Sequence, residues 1–85
     1  MNLKVIRQEI DKTDEKLLSL LDRRFQLAIL AKVAKKKLKL PIEDSYRERE
    51  IIKRMEKMAK NRGLPISFIN KIFKLIINEA KRKQK

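Results

Sequence analysis

The sequence predicts an all-α fold of three helices, one of them very long, that pairs with a second copy. Three observations lead to this prediction. Apolar residues recur at helical spacing throughout the chain, and nowhere do they alternate with polar residues as in a half-buried strand. The chain contains one glycine and two prolines, which divide it into three segments. With 85 residues it forms one small domain, residues 1–85, which can bury only a limited core.

The first helix is predicted over about residues 3–38, and it ends before Pro41. At roughly 35 residues it measures about 50 Å, which is too long for its apolar face to be buried within so small a monomer. We therefore expect the long helices of two copies to pair across a two-fold axis. The apolar residues occupy the first and fourth places of a seven-residue repeat: Leu3, Ile6, Ile10, Leu17, Leu20, Leu27, Ala31, Ala34 and Leu38.

The second helix is predicted over about residues 45–62. Ser45 and Glu48 match a capping box at its start, and Asp44 is an alternative cap. Gly63 is suited to end the helix, because glycine readily adopts the left-handed conformation found after helix C-termini.

The third helix is predicted over about residues 66–83, with Pro65 suited to its first turn. One face carries a continuous apolar stripe that ends at Ala80. Three helical segments joined by short turns complete the chain, with no internal repeat.

The composition excludes several kinds of chemistry. The chain has no cysteine and no histidine, so it lacks thiol nucleophiles, a Ser-His-Asp triad, disulfides and the usual zinc ligands. A single glycine cannot form the glycine-rich loop of a dinucleotide site. We therefore expect no metal and no cofactor, and a function that uses carboxylates, cations, hydroxyls and amides.

The net charge of +13, from 24 Lys and Arg against 11 Asp and Glu, favours an anionic partner. Nucleic acid, an acidic membrane surface or a small polyanionic metabolite would satisfy it. No apolar run approaches the ~20 residues of a membrane span, and the N-terminal residues mix charges with apolar side chains, unlike a signal peptide. We expect a soluble, cytoplasmic protein.

A cation interrupts the apolar repeat of the first helix. Arg24 occupies a first-place position between Leu17 and Ala31. It is either a snorkelling or register-setting side chain or a buried cation that awaits an anion. Lys35 lies eleven residues on, on nearly the same face and ~16 Å further along the axis. The gap between the two side chains suits a small metabolite.

Arg7 projects from a neighbouring face of the same helix, 28 residues before Lys35. This spacing corresponds to ~42 Å along one helix, so one small ligand cannot contact both residues of one chain. In an antiparallel dimer, the N-terminal half of one subunit reaches the site of the other, and the two residues can then share a ligand.

Other polar residues have ordinary explanations when each is taken alone. Asp44 and Glu48 lie one turn apart with Arg47 between them, at a helix start where carboxylates favour the dipole. Gln84 continues the stripe of the third helix four residues past Ala80, and a glutamine near a terminus is usually solvated.

Taken in order, these residues resemble the all-helical chorismate mutase family, in particular the mutase domain of its bacterial bifunctional members. Arg7 is followed by the motif I-D-x-x-D-x-x-L-L-x-L-L-x-x-R, which ends at Arg24, then by Lys35, the motif D-x-x-R-E from Asp44, and Gln84. The resemblance implies an intertwined, antiparallel, all-helical homodimer with two equivalent sites. It also implies an isomerase of phenylalanine and tyrosine biosynthesis, which converts chorismate into prephenate by a Claisen rearrangement without a cofactor.

For the residues that meet the reacting atoms, the resemblance implies four roles. Arg24 pairs with one carboxylate of the substrate, and Arg7 of the partner subunit binds a carboxylate of the same molecule. Lys35 contacts both a carboxylate and the ether oxygen. Gln84 donates to that oxygen from the opposite side.

The remaining implied roles concern the ring hydroxyl and the edges of the site. Glu48 accepts a hydrogen bond from the hydroxyl, assisted by the region of Asp44, and Arg47 borders the site. Ala80 stands where a bifunctional member has a serine, so we expect that contact to be lost or replaced by water. Since Gln84 is the penultimate residue of the sequence, we expect its turn to fray without substrate.

Two alternatives remain. An isochorismate-pyruvate lyase has the same fold and binds a nearly identical dianion. A basic helical nucleic-acid-binding protein would use the lysine-rich stretches at 35–39 and 81–85. Against the second alternative, three of the four aromatic residues lie on apolar stripes and form no stacking platform. We expect chorismate as the small-molecule partner and no nucleic-acid or membrane partner.

Overall fold

The computed structural model describes residues 1–84. In chain order the elements are α1 (Leu3–Lys37), α2 (Ser45–Arg62) and α3 (Ile66–Gln84), and this part of the chain contains no strand. The prediction of an all-α fold with three helices is confirmed. The helix limits differ from the sequence expectation by one residue at the C-terminal ends of α1 and α3.

Helix α1 is closed at both ends by local hydrogen bonds. At its start, the side chain of Asn2 accepts from the backbone N–H of Val5 at 2.9 Å, which pairs one of the free N–H groups of the first turn. At its end, Lys39 has a φ of 58°, and the N–H of Leu40 donates to the carbonyl of Lys35 at 2.9 Å. The chain therefore leaves the helix before the proline that was expected to stop it.

Helix α2 begins with Asp44 as its cap, the alternative considered from the sequence. The Asp44 carboxylate accepts from the backbone N–H of Arg47 at 3.0 Å. Ser45 is already the first helical residue, so the capping box between Ser45 and Glu48 is not formed. The Glu48 carboxylate is consequently not used by the helix start and is available for other contacts.

The end of α2 is a left-handed cap. Gly63 has a φ of 69°, and its N–H donates to the carbonyl of Lys60 at 3.2 Å. The N–H of Leu64 donates to the carbonyl of Ala59 at 2.9 Å. This pair of hydrogen bonds satisfies carbonyls that the last helical turn leaves free.

Helix α3 is the element on which the other two pack. It contacts both α1 and α2, and the carbonyl of Pro65 at its start accepts from the N–H of Ile69 at 3.1 Å. The buried apolar residues of the described chain all come from α2 and α3, and no residue of α1 is buried. They are Ile51, Ala59, Ile77 and Ala80.

The long helix leaves its apolar face open. The described chain measures 55 × 24 × 16 Å with a radius of gyration of 16.0 Å, whereas a compact domain of this length has about 12 Å. On the repeat positions of α1, Leu17 is 56% and Leu20 is 66% exposed. Contiguous apolar surface of this kind is typical of an interaction site. Within residues 1–84, no helix has the length and apolarity needed to cross a membrane.

Replacing Gly63 with alanine should lower the free energy of unfolding by about 1 kcal/mol, because a Cβ disfavours the left-handed conformation. The cause is the backbone rather than a clash, since an added Cβ meets no described atom within 4 Å beyond the chain neighbours. Urea unfolding followed by circular dichroism measures the change. Gly63→Asn is the matched control and should lose less, because asparagine tolerates this conformation. Equal stability of Gly63→Ala and wild type would contradict the assignment.

Candidate active site

A cavity of about 440 Å³ lies where α1, α2 and α3 meet. Its volume is in the range of sites for small metabolites. Seven of the eight residues expected from the sequence to bind substrate line this cavity, contributed by all three helices and by the segment before α2. They are Arg24, Lys35, Asp44, Arg47, Glu48, Ala80 and Gln84.

Arg7 is the eighth residue, and it does not line the cavity of its own chain. It lies exposed near the start of α1, in the part of the helix that extends beyond the cavity. One chain therefore assembles all of the expected site except the residue that the sequence assigned to the partner subunit.

Lys35 and Gln84 form the most closely connected part of the cavity wall. The Nζ of Lys35 donates to the carbonyl of Ile42 at 2.7 Å and to the Oε1 of Gln84 at 3.3 Å. The Nε2 of Gln84 donates to the carbonyl of Ala28 at 2.9 Å. Because an ammonium can only donate, it fixes which end of the amide faces Lys35. The second hydrogen on Nε2 is left for a ligand.

The last residue of α3 packs against α1. Gln84 is the last residue of the helix, yet it is only 6% exposed and its amide bonds to Lys35 and Ala28. Fraying of this turn without substrate stays a prediction, and it would have to break these two hydrogen bonds to α1.

Arg24 is a half-buried cation on the cavity wall. Within residues 1–84 its guanidinium has no ion pair and no hydrogen bond. Burial, followed by the neighbouring charges of Arg47 and Arg54, lowers the pKa of Arg24 below its ordinary value. Arginine nevertheless stays charged in proteins. The geometry therefore favours the interpretation of Arg24 as a cation that an anionic ligand would stabilise over its interpretation as a snorkelling side chain.

Glu48, one of the two carboxylates that line the cavity, is ion-paired. The Nζ of Lys81 lies 3.2 Å from the Oε1 of Glu48 and 3.4 Å from the Oε1 of Glu43. The hydrogen bond that Lys81 donates to Glu48 is the largest of the effects that raise the pKa of Lys81. One carboxylate oxygen of Glu48 is thereby occupied, and the other remains for a donor on a ligand.

A second cavity, of about 450 Å³, lies between α2 and α3. Only Glu48 of the expected site residues lines it. Its other carboxylate, Glu56, accepts a hydrogen bond from the Nδ2 of Asn70 at 2.9 Å. The cations of this cavity, Arg49, Lys53 and Lys74, are exposed, whereas Arg24 of the first cavity is half-buried. The first cavity therefore remains the candidate active site.

The chain is similar to known proteins over most of its length. The family model described as chorismate mutase type II matches residues 6–85. The chain belongs to this family. It is 36% identical over 78 residues to the bifunctional chorismate mutase/prephenate dehydratase of Escherichia coli K12, which covers 92% of the chain and 20% of that protein. It is 36% identical over 80 residues to the chorismate mutase of Methanocaldococcus jannaschii, covering 94% of the chain and 81% of the relative.

A relative from Aquifex aeolicus, also named bifunctional chorismate mutase/prephenate dehydratase, is 43% identical over 58 residues, which is 68% of the chain and 16% of that protein. The chain spans about a fifth of the length of the Escherichia coli protein. The family resemblance stated from the motifs is confirmed.

Sequence reasoning missed two cations in this chorismate mutase family member. Arg54 lines the cavity and lies seven residues after Arg47. Because a spacing of seven returns to the same face of a helix, the position of Arg47 could have indicated Arg54. Lys81 belongs to the lysine-rich stretch that we interpreted as solvated. Its local sequence gives no indication of Glu48, which lies 33 residues away.

Proposed function

We propose that this chain is a chorismate mutase that rearranges chorismate to prephenate. The observation that carries the proposal is the unpaired, half-buried Arg24 in the same cavity as the Lys35–Gln84 pair. Together they offer fixed positive charge and an amide donor to a small dianion. Membership of the chorismate mutase type II family and the similarity to relatives that bear this name support the same conclusion.

The reaction suits a chain without histidine or cysteine. In the rearrangement a C–O bond breaks as a C–C bond forms within one molecule, so no nucleophile and no proton transfer are required. The cavity has to hold the flexible dianion in its compact conformation, which lowers the entropic part of the barrier. It also has to stabilise the negative charge that develops on the ether oxygen.

The carboxylates of chorismate are the proposed partners of Arg24 and Lys35. The planar guanidinium of Arg24 suits bidentate binding of a carboxylate. The Lys35 ammonium has three donors, of which two are used by Ile42 and Gln84. The third donor is available for the substrate, where a carboxylate and the ether oxygen beside it would share it.

The ether oxygen is the proposed partner of the Gln84 amide. Hydrogen bonds to Lys35 and Ala28 hold that amide before substrate arrives. A donor that is already oriented requires no reorganisation during the reaction, so it stabilises the transition state more than a mobile donor would.

The ring hydroxyl is the proposed partner of Glu48. A carboxylate that accepts this hydrogen bond discriminates against molecules that lack the hydroxyl. Asp44 and Arg47 border the same end of the cavity. Ala80, which is buried in the wall, offers no side-chain donor, so we expect a water molecule or no contact at that position.

The proposed assembly is an intertwined antiparallel homodimer in which Arg7 completes the partner's site. The exposed apolar positions of α1 and the small core of the single chain support it. Arg7 lies on the part of α1 that extends past the cavity, so an antiparallel partner would carry its own Arg7 toward Arg24 and Lys35. The cytoplasmic location expected from the sequence stays a prediction.

Purified protein should consume chorismate, seen as loss of its absorbance, with prephenate as the identified product. Arg24→Ala and Lys35→Ala should each lower kcat/KM by at least about 100-fold, because each removes a charge that stabilises the transition state. Circular dichroism should show unchanged helix content. The neighbouring exposed residues provide controls, since Arg23→Ala and Lys36→Ala should keep activity within about twofold. Release of pyruvate from isochorismate, without formation of prephenate from chorismate, would indicate the lyase.

Mixing two inactive variants tests the contribution of Arg7 across the dimer. Arg7→Ala and Lys35→Ala each damage both sites of a homodimer. In a mixed dimer, one site has both residues intact, so co-expression should restore about a quarter of wild-type activity. Restoration should be absent when Arg24→Ala is mixed with Lys35→Ala, because those residues belong to the same site. Equal results for the two mixtures would contradict the assignment of Arg7 to the partner.

Gln84→Glu should make activity depend on pH. Only the protonated acid can donate to the ether oxygen, so kcat/KM should rise as the pH falls from about 8 toward the ordinary glutamic acid pKa of about 4.3. A carboxylic acid has one hydrogen, for which the Ala28 carbonyl competes, so the variant should stay below wild type. Wild type and Gln84→Leu should be flat over the range in which the protein stays folded. A flat Gln84→Glu profile would remove Gln84 from this role.

A further inference from the structure

We propose that Lys81 is a positioning residue that holds the Glu48 carboxylate ready for the ring hydroxyl of the substrate. The inference rests on the proposed function. It concerns a residue that neither the motifs nor the charge pattern assigned to the site, and that we had interpreted as part of a solvated stretch.

The two carboxylates that Lys81 contacts differ in how exposed they are. Glu43 is 69% exposed, and an exposed pair of this kind contributes little. Glu48 and Lys81 are 26% and 29% exposed, so water screens their contact at 3.2 Å less strongly. This contact also links α2 to α3 across the cavity, which Lys81 and Glu48 both line.

The link matters because the cavity contains other cations. Arg24 and Arg54 line it as well, and Arg24 has no ion-pair partner in the described chain. A Glu48 carboxylate without Lys81 would be drawn toward these guanidinium groups, and it would then neutralise charge that the substrate needs. Lys81 therefore does two things: it keeps Glu48 on the α3 side, and it leaves Arg24 free.

The remaining contacts of Glu48 agree with this role. Asp44 caps α2, so the Glu48 carboxylate is not needed to cap the helix start. Arg47 pairs with Glu50 one turn along α2, and within residues 1–84 it forms no ion pair with Glu48. Lys81 is thus the one ion-pair partner of Glu48 within residues 1–84, and it occupies a single carboxylate oxygen.

The experiment compares chorismate with an analogue that lacks the ring hydroxyl. Lys81→Met should lower kcat/KM for chorismate by about tenfold, because the hydrogen bond to a misplaced Glu48 is lost. For the deoxy analogue the same variant should lose less than about twofold, since that substrate makes no such bond. Lys81→Arg, which keeps the charge, should restore most of the activity on chorismate.

Three controls accompany the comparison. Glu43→Gln removes only the exposed partner and should change kcat/KM by less than about twofold. Lys71→Met removes an exposed lysine elsewhere on α3 and should have no effect. Glu48→Gln should lower activity on chorismate, and adding Lys81→Met to it should cause little further loss, because Lys81 then has no carboxylate to position.

Equal losses for Lys81→Met on both substrates would overturn the proposal and would indicate a direct contact with the substrate carboxylates or damage to the fold. Wild-type activity of Lys81→Met on chorismate would overturn it as well. A wild-type protein that does not convert chorismate refutes the proposed function itself, so the two failures are distinguishable.

Discussion

One ammonium group connects the three parts of the chain that form the cavity. The Nζ of Lys35, near the end of α1, binds the carbonyl of Ile42 in the segment before α2 and the amide of Gln84 at the end of α3. Gln84 in turn binds the backbone of α1 at Ala28. These contacts bring the last turn of α3 against α1. They add to the packing of α3 on α1 and α2 that forms the walls of the cavity.

The same cavity has an excess of positive charge, which suits it to an anionic ligand. Five cations and two carboxylates line it. Lys81 is paired with Glu48, whereas burial and like charges lower the pKa of Arg24. An arrangement of this kind is costly for the empty protein and favourable for a bound dianion. The chemistry that we propose needs such a field because its transition state is stabilised by fixed charge rather than by proton transfer.

The length of α1 explains why the single chain has a small core. A helix long enough to carry Arg7 past the cavity cannot bury its apolar face against two shorter helices, and no residue of α1 is buried in the chain. In the dimer that we propose, the length that leaves this face exposed is also the length that would let α1 reach the neighbouring site. In the proposed dimer, folding and pairing would be coupled, so stability would depend on protein concentration.

The sequence by itself determined the features that depend on neighbours along the chain. Helical periodicity set the three helices, Gly63 marked the end of α2, and the order of charged residues identified the family and its expected site. Only the tertiary structure decided that Asp44 caps α2, that Gln84 is buried, and that Lys81 and Arg54 line the cavity. The partners of Gln84 and Lys81 lie between 33 and 56 residues away. Such contacts are set by how α3 packs on α1 and α2, which the local sequence does not encode.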